Sequence, residues 1–237
     1  MTRVLLGSGG FRGEARRDFL CAQMRQFFGD IQQLLFVPYA GGDYDKYVNL
    51  MIDAGFHAGY DLVGIHTFDD AAVAVENAEA VYVGGGNTFR LIDKLHSNGT
   101  LQALKQRVAG GMPYMGVSAG SNVACPTMQT TNDMPIVYPP SFDSLNIVPY
   151  QLNAHYFDGV TFVKHNEEFE QHFGETRLDR IREFHECNDA PVIGLREGSV
   201  IVHEHGKALL RGNSCAIFLK GEPAKEVVDG SNLLDYI

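Results

Sequence analysis

Basic residues are scarce in this chain, which has 19 lysines and arginines against 29 aspartates and glutamates. The formal net charge of −10 argues against a nucleic acid or an anionic membrane as partner, because phosphate groups require clustered cations. No apolar run reaches the roughly 18 residues that a membrane-spanning helix needs. Residues 1–7 are too short, and too soon interrupted by glycine, for a signal peptide, and they predict a first strand instead.

Cysteine is also scarce, with four residues far apart in the sequence and no CxxC pair. This pattern argues against a disulfide framework and predicts reduced, buried thiols in a cytoplasmic protein. The chain lacks an HxxxH motif and any Cys/His cluster with the spacing of metal ligands, so we expect no metal site.

The 237 residues are 45% hydrophobic, which allows one sizeable core, and we predict a single α/β domain over 1–237. Apolar strand-like segments alternate with helical patterns in the first half of the chain. The predicted strands are 3–6, 34–38, 61–65, 80–83 and 113–115, and the predicted helices are 14–28, 44–58, 70–77, 88–95 and 101–108. This alternation predicts a doubly wound, mainly parallel sheet with helices on both faces, of the flavodoxin-like or class I glutamine amidotransferase-like type.

The second half is less regular. Residues 127–150 contain closely spaced prolines and asparagines, which predict loops. A helix is predicted over 176–186, opened by a capping signal of Thr176 and Asp179. Further strands are predicted at 191–195, 199–203 and 215–219.

A serine flanked by glycines lies where a buried strand is followed by a predicted helix, in Gly116-Val-Ser-Ala-Gly120. This is the nucleophile-elbow pattern, in which glycines allow a sharp turn and the serine oxygen is exposed to a substrate carbonyl. Ser118 is therefore the candidate nucleophile. The N–H of Ala119 is a natural donor to the oxyanion, and the following helix N-terminus adds positive potential.

A serine nucleophile needs a base and a carboxylate that orients it. Among nine histidines, His155 follows an apolar segment at 148–152, but a structural histidine fits the same pattern. Glu197 comes just after a predicted strand, at the edge where sites of α/β sheets gather, and Asp133 lies in a polar turn. A solvated glutamate and an Asx-turn aspartate are the structural alternatives.

Several segments resemble, in the same order, the peptidase E family of cytoplasmic α-aspartyl dipeptidases, which are serine peptidases. They are 84–89, 116–126, 130–137, 153–155, 174–177 and 194–198. The resemblance implies cleavage of Asp-Xaa dipeptides without a cofactor. It also implies that His155 is the base and Glu197 the triad carboxylate, with Asp133 a second important acid that competes for that role.

The same resemblance implies further site residues. Gly86 would supply the second oxyanion N–H, although Gly84-Gly-Gly86 is also compatible with a packing turn. Arg177 would bind the acidic group of the substrate; the alternative is a surface arginine paired with Glu175 or Asp179. The free α-amine of the substrate would be bound by Asp133, Asn87 or Glu197. The oligomeric state stays open between monomer and homodimer.

Two other functions compete with this interpretation. One is a related serine peptidase on another acidic substrate, such as a cyanophycin-type β-aspartyl polymer. The other is a non-catalytic module that binds an amide or a nucleotide on the same scaffold. The glycine-rich segment 7–13 suggests dinucleotide binding, but Arg12 occupies the place of the third glycine of G-x-G-x-x-G.

Overall fold

The computed structural model describes residues 2–237, apart from the side chain of His165. The described strands are β1 (Val4–Gly7), β2 (Gln33–Val37), β3 (Asp61–Gly64), β4 (Val81–Val83), β5 (Tyr114–Val117), β6 (Gln151–Ala154), β7 (Phe162–His165), β8 (Glu168–Gln171), β9 (Val192–Leu195), β10 (Val200–Glu204), β11 (Lys207–Arg211), β12 (Cys215–Phe218) and β13 (Lys225–Val227). The described α-helices are α1 (Glu14–Phe28), α2 (Tyr44–Asp53), α3 (Ala71–Asn77), α4 (Thr88–Ser97), α5 (Thr100–Ala109), α6 (Ala119–Asn122) and α7 (Arg177–Cys187).

Within the described residues, seven strands form the central sheet in the order β11-β10-β1-β5-β4-β2-β3. The five strands from β1 to β3 in this order are parallel, and β10 and β11 add an antiparallel edge. Alternate strand residues face two separate buried clusters, as the pleat requires; Val4 and Leu6 belong to one and Leu5 to the other. Helices α3 to α5 cover the first cluster, and α1 and α2 cover the second.

The predicted α/β fold, with a mainly parallel sheet and helices on both faces, is therefore confirmed. The strand order differs from that of flavodoxin in the position of β1. In flavodoxin the first strand lies between the second and third strands, whereas here β1 lies between β5 and β10. The end of β1 is consequently a direct neighbour of the end of β5, where the candidate nucleophile follows.

A second sheet, which the sequence analysis did not foresee as a separate layer, has the order β13-β12-β9-β6. Its strands β6 and β9 are parallel, so that Ala154 is opposite Leu195 and both strands end at the same edge. One buried cluster contains Leu152 and Ile193 of this sheet together with Val83 and Tyr114 of the central sheet. The two sheets therefore share a continuous core.

Several local predictions need correction. Helix α2 ends at Asp53 rather than at 58, because the chain turns at Gly55, whose φ is +75°. Residues 162–171 form a two-stranded hairpin, β7–β8, that the sequence did not predict, since both faces of it are exposed and no apolar alternation marks it. The capping box of Thr176 and Asp179 at the start of α7 is confirmed. Of the four cysteines, expected to be buried, Cys187 is exposed.

No helix within residues 2–237 is both long enough and apolar enough to cross a membrane.

Candidate active site

Ser118 directly follows β5 and has a backbone conformation that residues other than glycine rarely adopt, with φ 54° and ψ −111°. Its N–H donates to the Gly7 carbonyl at 2.9 Å, and its own carbonyl accepts from Ser121 N at 2.9 Å and Asn122 N at 3.0 Å. These bonds hold the unfavourable conformation in place, and such strain is typical of functional turns. The Ser118 side chain is left at the surface of the turn, where it is half-buried.

The glycines of this turn act differently from the sequence-based expectation. Neither Gly116 nor Gly120 has a positive φ; the serine itself makes the sharp turn. A Cβ on Gly116 would lie 2.5 Å from the Gly120 carbonyl carbon, and one on Gly120 would lie 2.9 Å from the Val83 carbonyl carbon. The glycines therefore allow the turn to pack against β4 and β5. The helix after the serine is α6, only four residues long, so its macrodipole adds less potential than expected.

His155 and Glu197 come from the second sheet and meet Ser118 at its edge. His155 immediately follows β6, and Glu197 lies two residues beyond the end of the neighbouring parallel strand β9. His155 Nε2 lies 3.0 Å from Ser118 Oγ, and His155 Nδ1 lies 3.0 Å from Glu197 Oε1. A proton relay from serine to imidazole, with a carboxylate behind it, requires these contacts.

The loop after β4 and the turn after β5 also meet beside Ser118. A Cβ on Gly85 would lie 3.0 Å from Ser118 Cβ, which shows how closely the two backbones approach. Within residues 2–237, the N–H groups of Gly86 and Ala119 donate to no protein acceptor. Gly86 has a φ of +131°, and a Cβ there would lie 2.6 Å from the Ala40 carbonyl oxygen, so a side chain is excluded. Two backbone donors thus remain available near the serine.

Comparisons with known proteins show the family of this chain. The model of a family described as Peptidase family S51 matches residues 4–211. The chain belongs to peptidase family S51.

Two relatives extend this family membership over nearly the full chain. A peptidase E of Streptomyces coelicolor is 42% identical over 238 aligned positions, which cover 100% of this chain and 95% of the relative. A Drosophila melanogaster protein named "Probable alpha-aspartyl dipeptidase" is 39% identical over 226 positions, covering 94% and 91%. The solved structure of a peptidase from an acI-B1 actinobacterium has a TM-score of 0.69 at 18% identity, covering 98% of this chain and 96% of that one, and so shares the fold.

In this S51 peptidase, Arg177 begins α7 and is half-buried. It lines, together with His155 and Arg180, an open pocket of about 530 Å³. Burial and the adjacent Arg180 guanidinium lower the pKa of Arg177, whereas Asp133 and Glu175 raise it. Arginine stays protonated in proteins, so the pocket that His155 lines also contains the cation of Arg177.

The alternative for Arg177, a surface pair with Glu175 or Asp179, does not form. Glu175 instead pairs with Arg180 at 2.9 Å, and Asp179 pairs with Arg182 at 3.3 Å. Within the described residues, Arg177 makes no hydrogen bond or ion pair, which leaves its guanidinium available to a ligand.

Asp133 and Asn87 meet at the start of α4, next to Gly86. Asp133 Oδ2 accepts from the backbone N–H of Thr88 at 2.8 Å and from its hydroxyl at 2.5 Å. Asn87 caps the same helix, because its Oδ1 accepts from Arg90 N at 3.1 Å. Neither side chain contacts His155, so Glu197 alone of the two candidate carboxylates is bonded to the imidazole.

Sequence reasoning missed the residues of the β1–α1 loop and of the start of α1 that contact this site. In the sequence, segment 7–13 resembles only an imperfect dinucleotide motif. In the structure Ser8 bonds to the backbone of His155, and Arg16 Nη1 lies 3.4 Å from Glu197 Oε2. The signal that was available is the pair of glycines directly after the first strand.

Proposed function

We propose that this protein is a serine dipeptidase that hydrolyses dipeptides with N-terminal aspartate through an acyl-enzyme on Ser118. The observation that carries the proposal is the pair of 3.0 Å contacts that join Ser118, His155 and Glu197. Membership of peptidase family S51 and the dipeptidase name of one relative support the same activity.

The chemistry follows from the three side chains. His155 Nε2 removes the hydroxyl proton while Ser118 Oγ attacks the carbonyl carbon of the aspartyl residue. The N–H groups of Gly86 and Ala119 stabilise the oxyanion of the tetrahedral intermediate. The peptide C–N bond then breaks, and His155 delivers its proton to the departing amine. Glu197 stabilises the imidazolium while it exists.

A water molecule completes the cycle by the same steps. His155 removes a proton from the water, whose oxygen attacks the acyl carbon; the second tetrahedral intermediate then collapses with cleavage of its bond to Ser118 Oγ, and the His155 imidazolium delivers the proton to that oxygen. The aspartate is released and the enzyme is regenerated. Each proton is taken up and returned by the same imidazole, and the residues named here supply every transfer.

Substrate recognition in this proposal relies on charges beside the triad. Arg177 binds the β-carboxylate of the substrate bidentately, which its half-buried and unpaired guanidinium favours. Asp133 binds the free α-amine with Oδ1, since Oδ2 is used by Thr88. Asn87 and Glu197 are the further candidates for the amine.

One experiment separates this function from its two rivals. The purified protein is treated with a fluorophosphonate and, separately, with Asp-Xaa, Glu-Xaa and β-linked iso-Asp peptides. Labelling of Ser118 together with preferred hydrolysis of Asp-Xaa supports the proposal. Preferred cleavage of iso-Asp peptides would instead support a serine peptidase that acts on a cyanophycin-type β-aspartyl substrate. A protein that is neither labelled nor active would be a binding module.

Two further expectations belong to the proposal. The cytoplasmic location and the monomeric or homodimeric state are predictions that cell fractionation and sedimentation test directly. The acidic net charge favours a small peptide over nucleic acid or a membrane as partner.

A further inference from the structure

Ser8 is a fully buried serine whose hydroxyl joins the end of β1 to the second sheet. Its Oγ accepts from the backbone N–H of His155 at 2.9 Å and donates to the Leu195 carbonyl at 2.7 Å. The backbone N–H of Ser8 donates to the Ser199 carbonyl at 3.0 Å. One small side chain therefore contacts the backbone at the end of β6 and at the end of β9.

The hydrogen bond to His155 is made where the backbone needs support. His155 has a φ of +55°, a left-handed conformation that costs free energy in any residue with a side chain. This turn points the imidazole away from the course of β6 and toward Ser118. The N–H of Tyr156, the next residue, donates to the Leu195 carbonyl at 3.1 Å, so Ser8 and β9 hold both sides of the turn.

The two glycines that follow Ser8 leave room for the His155 imidazole and the Glu197 carboxylate. Gly9 and Gly10 have φ values of +126° and +72°. A Cβ on Gly9 would lie 2.8 Å from His155 Nε2, and one on Gly10 would lie 2.5 Å from Glu197 Cδ. The two glycines are therefore in contact with the imidazole and the carboxylate, which gives them a role in the serine site that involves no dinucleotide.

The end of β1 also contacts the backbone of the nucleophile. The Gly7 carbonyl accepts from Ser118 N at 2.9 Å, one residue before Ser8 bonds to His155. Ser118 belongs to the central sheet, whereas His155 and Glu197 belong to the second sheet. The end of β1 is thus one place where the two sheets are joined next to the reacting atoms; Asn122 Nδ2, which donates to the Leu152 carbonyl at 2.6 Å, is another.

We propose that Ser8, Gly9 and Gly10 form a positioning loop that sets the His155–Glu197 pair against Ser118. The inference rests on the proposed serine mechanism, because positioning matters only if these three residues react. Ser8 is a positioning residue, since its hydroxyl contacts the backbone of His155 and not the substrate. A displacement of about 1 Å at the reacting atoms is enough to lower a rate about 100-fold.

The first test compares two fully buried serines, Ser8 and Ser144. Ser144 Oγ approaches only the Phe142 carbonyl, at 3.4 Å, within its own loop. Ser8→Ala is expected to lower kcat about 10- to 100-fold with KM little changed, because substrate contacts stay in place. Ser144→Ala is expected to keep wild-type kcat. Each rate is divided by the folded fraction of that variant at the assay temperature, which is taken from its thermal unfolding curve.

The second test uses glycines and does not depend on whether Ser8→Ala folds. Gly10→Ala introduces both a strained φ and an overlap with Glu197, whereas Gly29→Ala introduces a strained φ of +63° in open space. Gly10→Ala is expected to lower kcat at least about tenfold relative to Gly29→Ala. In a Glu197→Gln background the effect of Gly10→Ala is expected to shrink, since the two changes act on one side chain.

The rate of phosphonylation by a fluorophosphonate is the closing measurement, because this reagent reports serine activation without dipeptide binding. The proposal expects slower phosphonylation in Ser8→Ala and Gly10→Ala than in their controls. Equal rates in variants and controls, with a reactive wild type, would overturn the positioning loop alone. An unreactive wild type would overturn the proposed function itself, and the positioning role with it.

Discussion

Glu197 Oε1 accepts a hydrogen bond from His155 Nδ1 at 3.0 Å, although the two side chains are 47% and 37% exposed. A carboxylate only accepts, so Nδ1 carries the proton and Nε2 presents its lone pair to Ser118, 3.0 Å away. Glu197 therefore selects the tautomer that can act as a base. Because solvent reaches both groups and screens their charges, we expect orientation to contribute more than Coulomb attraction.

The first prediction concerns the nucleophile. Ser118→Ala should lower kcat for Asp-Xaa dipeptides about 10³-fold or more, because no other hydroxyl faces His155 Nε2 in the described residues. Steady-state kinetics and circular dichroism measure the loss and check the fold. A variant that retains more than about one-tenth of wild-type kcat would contradict the serine mechanism.

The second prediction concerns the carboxylate of the triad. Glu197→Gln should lower kcat about 100-fold or more with little change in KM, because an amide does not hold the imidazolium or its tautomer as a carboxylate does. The control is Glu204→Gln, which removes a partly exposed glutamate whose ion pair is with Arg3 at 3.5 Å. A Glu197→Gln enzyme with normal kcat would contradict the triad role of Glu197.

The third prediction concerns the substrate amine. Asp133→Asn keeps an oxygen that can accept from Thr88 N, so the start of α4 should stay intact while the negative charge is lost. If Asp133 binds the amine in the ground state, KM should rise about tenfold or more. Initial rates over a range of Asp-Xaa concentrations measure it. An unchanged KM would leave Asp133 with only its role at the helix.

The nucleophile turn was predictable because its pattern is local. A serine between glycines, after a buried strand, is visible within a few residues, and the close approach of Gly120 to Val83 explains why the pattern needs glycine. Strands β1, β4 and β5 were predictable for a similar reason, since almost all of their residues are buried and their sequences are continuously apolar.

The assembly of the site was not predictable from local pattern. His155 and Leu195 are hydrogen-bonded to Ser8 although they lie 147 and 187 positions away in the sequence. The hydrophobic periodicity of a sequence does not indicate such distant contacts. The family resemblance supplied the identity of His155 and Glu197, whereas the residues alone left both open. The second sheet escaped prediction because β9 and β12 were predicted as strands, but nothing in their own residues indicates that they pair with β6 and β13 and not with the central sheet.

The last prediction concerns specificity. Arg177 is half-buried, lines the same pocket as His155 and pairs with no carboxylate of the described residues, so Arg177→Met should leave the substrate β-carboxylate unpaired in a partly dehydrated pocket. The expected cost is about 2–5 kcal/mol in kcat/KM for Asp-Xaa, with a much smaller loss for Asn-Xaa, which lacks that charge. The ratio of the two kcat/KM values is therefore the quantity to measure.

The matched control for this prediction is Arg182→Met on the same helix, where the arginine is 69% exposed and pairs with Asp179. If Arg177→Met leaves the ratio of the two kcat/KM values unchanged, Arg177 does not bind the β-carboxylate, and Arg180 and Arg196 become the candidates for that role.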